Sequence, residues 1–255
     1  MKLAKILLSS TLLISLQGYG AINPSAIKNE LLKKYSMNYA DTRQIAELKA
    51  ETLNYGGQSV EALIEVMKNG KYPEKNRWVA TFLLGQIMGD KSAPFIAKFT
   101  KHPNWIMRMA SLKTLLALKQ DKFGGEYARL LSDESLIVRT QALENIKTLK
   151  LQKYSANVWS MLYDRRNYYE PTVKGAIKAR KRSNIIKNVI ATIGELKFQD
   201  ARGPLMKMVQ KDKYNDIFSE MDLALSSITG HKSPNGDIKA KRLFWNRKAL
   251  DVTIM

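Results

Sequence analysis

The sequence predicts an all-α fold, an α-solenoid of about five to six stacked helix pairs. One observation is a pattern that recurs three times at a spacing of 31 residues between Arg77 and Met161. Another is that each unit carries two apolar stripes with the period of an α-helix, separated by a short polar break. A helix pair of this length cannot bury both stripes alone, so neighbouring pairs have to stack.

Three arginines, Arg77, Arg108 and Arg139, share one phase of the repeat. A small residue follows each arginine at offset 3 and aliphatic residues follow at offsets 7 and 10, all on one side of a helix. Offsets 19 and 22 place another apolar stripe on a second helix. In order of offset, these residues are Ala80, Ser111 and Ala142; Leu84, Leu115 and Ile146; Ile87, Leu118 and Leu149; Ile96, Tyr127 and Val158; Phe99, Leu130 and Met161.

The clear units resemble HEAT repeats of the short bacterial, phycobilisome-lyase-like kind. Asp133 and Arg139 match the Asp and Arg that HEAT repeats pair between neighbours, whereas His102 and Lys71 stand at the Asp position before Arg108 and Arg77. The first-helix string of the family is matched by Arg77, Ala80, Leu84, Gly85, Ile87, Gly89 and Asp90.

The resemblance covers about residues 41–230 and is clearest in 76–163. It implies that Asp133 and Arg139 take part in pairing between neighbouring units. We expect the arginine column to be structural, with each guanidinium bonded to carboxylates and carbonyls of the previous unit; the alternative is an anion-binding column. The resemblance implies no particular activity, because this fold hosts many functions.

Residues 1–20 read as a signal peptide. Lys2 and Lys5 precede an apolar run from Ile6 to Leu16, and Gly18 and Gly20 supply small residues for cleavage before residue 21. The alternative is an uncleaved membrane anchor, but this run is shorter than the roughly 20 residues that span a bilayer. No cysteine follows it, which excludes a bacterial lipoprotein.

We therefore expect export to the periplasm or the outside of a bacterial cell. Mass spectrometry of the native protein should find an N-terminus at Ala21 or within about three residues of it, because signal peptidase cuts after small residues. An intact Met1 on protein recovered from the cytosol would contradict this expectation.

Residues 21–255 are predicted to form one solenoid without a β-sheet. An amphipathic helix at 24–37 covers one open end, and a degenerate repeat follows, N-capped by Asp41 and stopped at Gly70. After the clear repeats at 76–163 come a basic insertion at 164–183, further repeats at 184–230, and a cap and tail at 231–255 in which Phe244 and Trp245 cover the core.

Positive charge is the compositional anomaly. The formal net charge is +19, and residues 150–213 hold fifteen Lys or Arg against five Asp or Glu. Residues 77–149 are closer to balance, so the basic surface belongs mainly to the C-terminal half. Such a surface is expected to attract an acidic protein, or an anionic envelope polymer or lipid; export argues against nucleic acid.

The insertion is the leading candidate for a binding surface. Insertions in solenoids often map to the binding face, and this one combines basic residues with neighbouring tyrosines. The alternative is a merely solvated basic face. The candidate binding residues are Arg165, Arg166, Tyr168, Tyr169, Lys178, Arg180, Lys181 and Arg182.

Residues for catalysis or cofactor binding do not stand out. The chain has no cysteine, and its two histidines, His102 and His231, are far apart in sequence. We therefore expect no catalytic residue, metal or cofactor. The predicted function is a secreted or periplasmic, non-enzymatic protein-interaction scaffold that docks an acidic partner. The alternatives are a binder of lipopolysaccharide, anionic lipid or nucleic acid and, less favoured, a HEAT-like enzyme.

Overall fold

The computed structural model describes residues 23–169, 181–182 and 184–253. The predicted signal peptide and two candidate binding residues, Lys178 and Arg180, lie outside these ranges. The α-helices are α1 (Pro24–Tyr35), α2 (Thr42–Tyr55), α3 (Val60–Lys68), α4 (Glu74–Met88), α5 (Ala93–Lys98), α6 (Trp105–Ala117), α7 (Gly124–Leu130), α8 (Leu136–Thr148), α9 (Ser155–Ser160), α10 (Asn184–Glu195), α11 (Arg202–Val209), α12 (Phe218–Thr229) and α13 (Ile238–Thr253). The fold is all-α, as predicted.

Side-chain caps begin several of these helices. The Asp41 carboxylate accepts a hydrogen bond from the backbone N–H of Arg43 at 2.9 Å, which confirms its predicted role as an N-cap. Asn104 does the same for α6, with Ile106 N–H as the donor at 2.8 Å. The first helices of the array therefore start where the sequence places polar residues ahead of an apolar stripe.

The polar breaks between paired helices share one backbone feature. Gly89 has a φ of 53°, and Lys119, Lys150 and Lys197 each have a φ of 52°. Each of these left-handed residues is followed within a few residues by a short 3-10 turn that leads into the second helix. Glycine adopts this conformation without a steric penalty, whereas each lysine pays about 1 kcal/mol or more for it.

The helices stack in sequence order. Helix α4 packs on α6, α6 on α8, and α10 on α12, and each short second helix packs beside a first helix. The residues at offsets 3 and 7 are all buried, as are those at offsets 19 and 22, so the predicted 31-residue register is correct. Offset 10 lies at the margin of the core, where Ile87, Leu118 and Leu149 are only partly buried.

Two glycines allow neighbouring first helices to approach closely. A Cβ placed on Gly194 of α10 would lie 2.7 Å from the Cα of Ala224 in α12. A Cβ on Gly85 of α4 would lie 2.4 Å from the Cγ2 of Thr114 in α6. Both distances are shorter than a carbon–carbon contact allows, so the helix spacing depends on the missing side chains.

The insertion contains the only strands of the described chain. Strand β1 (Tyr168–Tyr169) pairs antiparallel with β2 (Lys181–Arg182), with Tyr168 opposite Arg182. The expectation of a chain without β-structure is therefore wrong at this point. The insertion leaves and re-enters the array nearby, so its two ends run side by side, and tyrosine favours the extended conformation that lets them pair.

The C-terminal helix closes the core, as predicted for Trp245. This indole is fully buried, and its Nε1–H donates to Asp222 Oδ1 at 2.7 Å. Lys241 of the same helix donates to Asp222 Oδ2 at 2.6 Å, and Phe244 packs edge-on against Trp245. The buried carboxylate of Asp222 on α12 thus fixes α13 at two points.

We expect Asp222→Asn to loosen α13. Burial opposes ionisation of Asp222, but hydrogen bonds from Lys241, Ser233 and Trp245 outweigh it and lower the pKa of the carboxyl below its ordinary 3.8. A depressed pKa in the folded state means that the stabilisation is present above pH 3.8 and is lost as pH falls through the lower folded value. Removing the charge should cost about 2 kcal/mol and speed amide exchange in α13 at pH 7.

The matched control for this change is Asp212→Asn. Asp212 also pairs with α13, through Arg242 at 2.5 Å, but its side chain is 86% exposed. Exposed pairs contribute little, so amide exchange in α13 should hardly change. Equal exchange in both variants would show that Asp222 does not hold the helix.

Candidate functional site

The arginine column forms a ladder along one edge of the array. Arg108 binds Asp133 through two hydrogen bonds, Nε to Oδ2 at 2.7 Å and Nη2 to Oδ1 at 2.8 Å. Its Nη1 also donates to the backbone carbonyls of His102 and Pro103. Asp133 precedes the next unit, so this carboxylate lies in the following unit and not in the previous one as expected. The bidentate geometry fixes the stacking of two units.

The flanking arginines are bonded differently. Arg139 is almost fully buried and donates to Asn167 Oδ1 and to the carbonyls of Asp133, Glu134 and Arg166. Burial lowers its pKa. Arg77 donates to the carbonyl of Met67 in the previous unit. These contacts are internal, so the column is structural in these units.

His102 occupies the ladder position where the next unit has Asp133. Its Nδ1 lies 3.0 Å from the backbone N–H of Asn104, and its Nε2 lies 3.2 Å from Nη2 of Arg77. Both ring nitrogens face donors, yet a neutral imidazole has one acceptor nitrogen. Burial, together with Arg77 and Arg108, lowers the pKa of His102, so the ring stays neutral and one contact stays unsatisfied.

We expect His102→Asp to stabilise the fold. A carboxylate could accept from both Asn104 N–H and Arg77, as Asp133 accepts from Ser135 N–H and Arg108. The gain should be about 1 kcal/mol in urea unfolding at pH 7, because a charge-assisted bond replaces an unsatisfied contact. His102→Asn, which adds no charge, should gain less; an Asp variant less stable than the Asn variant would contradict the ladder interpretation.

Asp164 continues the ladder spacing at the start of the insertion. It lies 31 residues after Asp133, and its Oδ1 accepts from the backbone N–H of Arg166 at 2.9 Å, the same local turn that Asp133 makes. Its carboxylate pairs with the Arg166 guanidinium at 2.7 Å, while Arg139 binds Asn167. The ladder therefore changes partners where the insertion begins.

Two of the candidate binding residues form internal contacts that stabilise the fold. Arg166 pairs with Asp164 and also donates to the carbonyl of Ser132. Tyr168 is half-buried, and its hydroxyl donates to the carbonyl of Leu162 at 2.6 Å. Both side chains hold the insertion against the array, so their replacement would change structure as well as any binding.

The other described candidates lie at the two ends of the insertion. Arg165 is exposed, and the Tyr169 side chain is 60% exposed, so both are accessible. The backbone of β2 places Lys181 opposite Tyr169 and Arg182 opposite Tyr168. The structure thus brings the two ends of the candidate set together in one strand pair.

A cleft opens beside the start of the insertion. Its volume is about 260 Å³, and its walls come from the units on either side of residues 164–183. The inner wall is apolar, with Ile186 and Ile217 both buried. The lining consists of Trp159, Leu162, Tyr163, Tyr168, Ile186, Pro204, Met208, Tyr214 and Ile217.

Four aromatic rings make the cleft unusual within this chain. Tyr163 is 73% exposed, whereas Trp159, Tyr168 and Tyr214 pack partly against the core. Rings held in this way supply large contact areas at a low entropic cost, which is why tyrosine and tryptophan dominate binding hot spots. The cleft is therefore an apolar site with aromatic walls beside the start of the insertion.

Positive charge surrounds the elements that carry the cleft. Three of the nearby carboxylates pair with a cation: Asp164 with Arg166, Asp212 with Arg242 and Glu220 with Lys187. Three exposed cations in the same elements form no ion pair with another described residue: Arg165, Lys207 and Lys211. Lys213 Nζ lies 5.1 Å from the centre of the Tyr214 ring, so one wall of the cleft also carries a cation.

Sequence reasoning does not single out Trp159, Tyr163 or Tyr214 as binding residues. A usable signal is the spacing of Trp159, Tyr163 and Tyr168, which collects aromatic residues immediately before the register breaks. The contribution of Tyr214 comes from a distant turn, and only the stacking of units brings it to the same place.

The described ranges contain neither a cluster of metal-binding side chains nor a membrane-spanning helix. Among residues 23–169, 181–182 and 184–253, no three His, Asp or Glu side chains are grouped so that they could hold a metal ion. Within those same ranges, no helix has the length and apolar composition needed to cross a bilayer. Scans against models of known protein families and against curated proteins find no match to this chain.

Proposed function

We propose that this protein is a non-enzymatic, HEAT-like interaction scaffold of the bacterial periplasm or exterior, and that it docks an acidic protein through its basic C-terminal half. The observation that carries the proposal is the aromatic cleft in elements that also carry exposed cations with no ion pair to another described residue. Charge speeds encounter with an acidic partner, and aromatic area supplies short-range contact.

The position of the charge favours this surface over the ladder edge. Arg108 and Arg139 form their hydrogen bonds with groups inside the array, so their charge is not available to a partner. Arg165, Lys207 and Lys211 are exposed and form no ion pair within the described ranges, so they can meet carboxylates of a partner. The docking surface is therefore assigned to the units that flank the insertion.

A second candidate is binding to an anionic envelope polymer or lipid surface. It is favoured by the seven Lys or Arg against one Glu between residues 165 and 182. Each cation near an anionic membrane contributes about 1 kcal/mol, so such a patch could bind without a shaped site. That mode should weaken steeply with salt, whereas a shaped protein contact should saturate at 1:1 and survive moderate salt.

The test is affinity capture from the periplasmic or secreted fraction at low and moderate salt, with two charge-matched variants. One carries Arg165→Gln, Lys207→Gln and Lys211→Gln; the control carries Lys75→Gln, Lys91→Gln and Lys98→Gln, which are also exposed. We expect the first variant to lose the acidic partner and the control to retain it, with both melting like the parent.

Two outcomes decide between the candidates. Equal loss in both variants would mean that net charge alone acts, which contradicts a localised docking surface. Capture that disappears at moderate salt, combined with binding to phosphatidylglycerol vesicles or lipopolysaccharide, would favour the envelope surface over an acidic protein.

A further inference from the structure

The cleft has the dimensions of a side-chain pocket. Its volume of about 260 Å³ lies below the roughly 300–1,000 Å³ of pockets for drug-sized ligands. Its floor is formed by buried Ile186 and Ile217, and Met208 on one wall is a flexible, polarisable residue that adapts to different apolar shapes. One apolar or aromatic side chain is the group that such a space accommodates.

The charge around the cleft restricts which charged groups can flank the bound side chain. Aromatic pockets can bind quaternary ammonium groups by cation–π attraction, but here Lys213 already lies over the Tyr214 ring. Arg165, Lys207 and Lys211 add positive charge in the same elements, which disfavours a cationic ligand. Carboxylates on either side of the inserted group would instead meet these exposed cations, which pair with no other residue that the structure describes.

From these two properties we propose that the cleft receives the anchor side chain of an acidic peptide segment, with an aromatic or large aliphatic residue flanked by Asp or Glu. This inference rests on the proposed function and specifies how its partner is recognised. Tyr163 is the access side of the cleft because it is 73% exposed, and Tyr168 is held in place by its bond to the Leu162 carbonyl.

The test uses fluorescein-labelled nonapeptides with the full chain. The Glu–Trp peptide has four Glu on each side of a central Trp. The Glu–Ala peptide has Ala in place of the Trp, and the Gln–Trp peptide has Gln in place of every Glu. We expect the Glu–Trp peptide to bind about tenfold more tightly than the Glu–Ala peptide, because the anchor buries apolar area. The Gln–Trp peptide should bind more weakly and with little salt dependence.

Matched variants locate the contact. Tyr163→Ala removes an exposed wall of the cleft, and Met208→Trp fills it; both should erase the preference for Trp over Ala. The controls are Tyr169→Ala, another exposed tyrosine that does not line the cleft, and Met88→Trp, at a half-buried methionine elsewhere. Both controls should keep the preference.

Each remaining outcome overturns the inference. Equal affinity for the Glu–Trp and Glu–Ala peptides would show that the cleft takes no anchor, while the proposed docking of an acidic partner would stand. Equal losses from Tyr163→Ala and Tyr169→Ala would place the contact on the insertion surface instead. No saturable binding of any peptide would reject both the anchor and the acidic partner.

Discussion

Replacing Arg139 with Met should destabilise the protein by about 3 kcal/mol or more. The guanidinium is 2% exposed and donates to four acceptors, including Asn167, which is itself fully buried. Methionine fills much of the volume but removes the donor of all four hydrogen bonds, and a buried acceptor that loses its partner costs about 1–3 kcal/mol. Urea unfolding at neutral pH would measure the loss.

Arg43→Met is the control for this change. Arg43 is 85% exposed in its side chain and forms only a surface pair with Glu47 at 3.5 Å. Its loss should change the free energy of unfolding by less than about 0.5 kcal/mol. If both variants unfold at the same urea concentration, Arg139 does not join its unit to the insertion.

The second large effect is expected from Gly194→Ala. The added methyl group would meet the backbone of Ala224 at 2.7 Å, and backbone cannot rotate away as a side chain can. Helices α10 and α12 would have to separate, at a cost of about 1–3 kcal/mol for an overpacked interface. Thermal unfolding should show this as a lower melting temperature.

Gly203→Ala is the control for this change. Apart from its two chain neighbours, a Cβ at Gly203 in α11 meets nothing within 4 Å, so alanine should cost much less stability there than at Gly194. Because both changes are Gly to Ala in helices, the difference isolates the close approach. An unchanged melting temperature for Gly194→Ala would mean that α10 and α12 pack less tightly than the structure shows.

The sequence was sufficient for the array and its core. Periodic burial depends on local geometry, so Ala80, Ser111 and Ala142 could be assigned to the interior from their spacing alone. Trp245 was recognisable because a large aromatic residue after the last repeat has an open core to cover. Both features follow from patterns that repeat along the chain.

The site was less predictable because it depends on contacts between distant residues. Basic composition identified the region of the insertion, but it could not separate Arg166, which binds Asp164, from exposed Arg165. Tyr214 reaches the cleft only through the stacking of α10 and α11 on the preceding unit. The hydrogen-bond partner of each ladder arginine was also not predictable, because it depends on which neighbouring unit the guanidinium faces.

The change of ladder partners at the insertion has a consequence for how the protein unfolds. Stability in a linear array is approximately the sum of unit terms and nearest-neighbour coupling terms. Arg108 and Asp133 join their units by a bidentate ion pair. At the insertion, Arg139 instead binds the neutral amide of Asn167, and Asp164 forms an ion pair with Arg166. Opening of the C-terminal units at this boundary therefore has to break the buried hydrogen bonds from Arg139 to Asn167 and Arg166, so Arg139→Met should allow those units to open while the N-terminal stack stays folded.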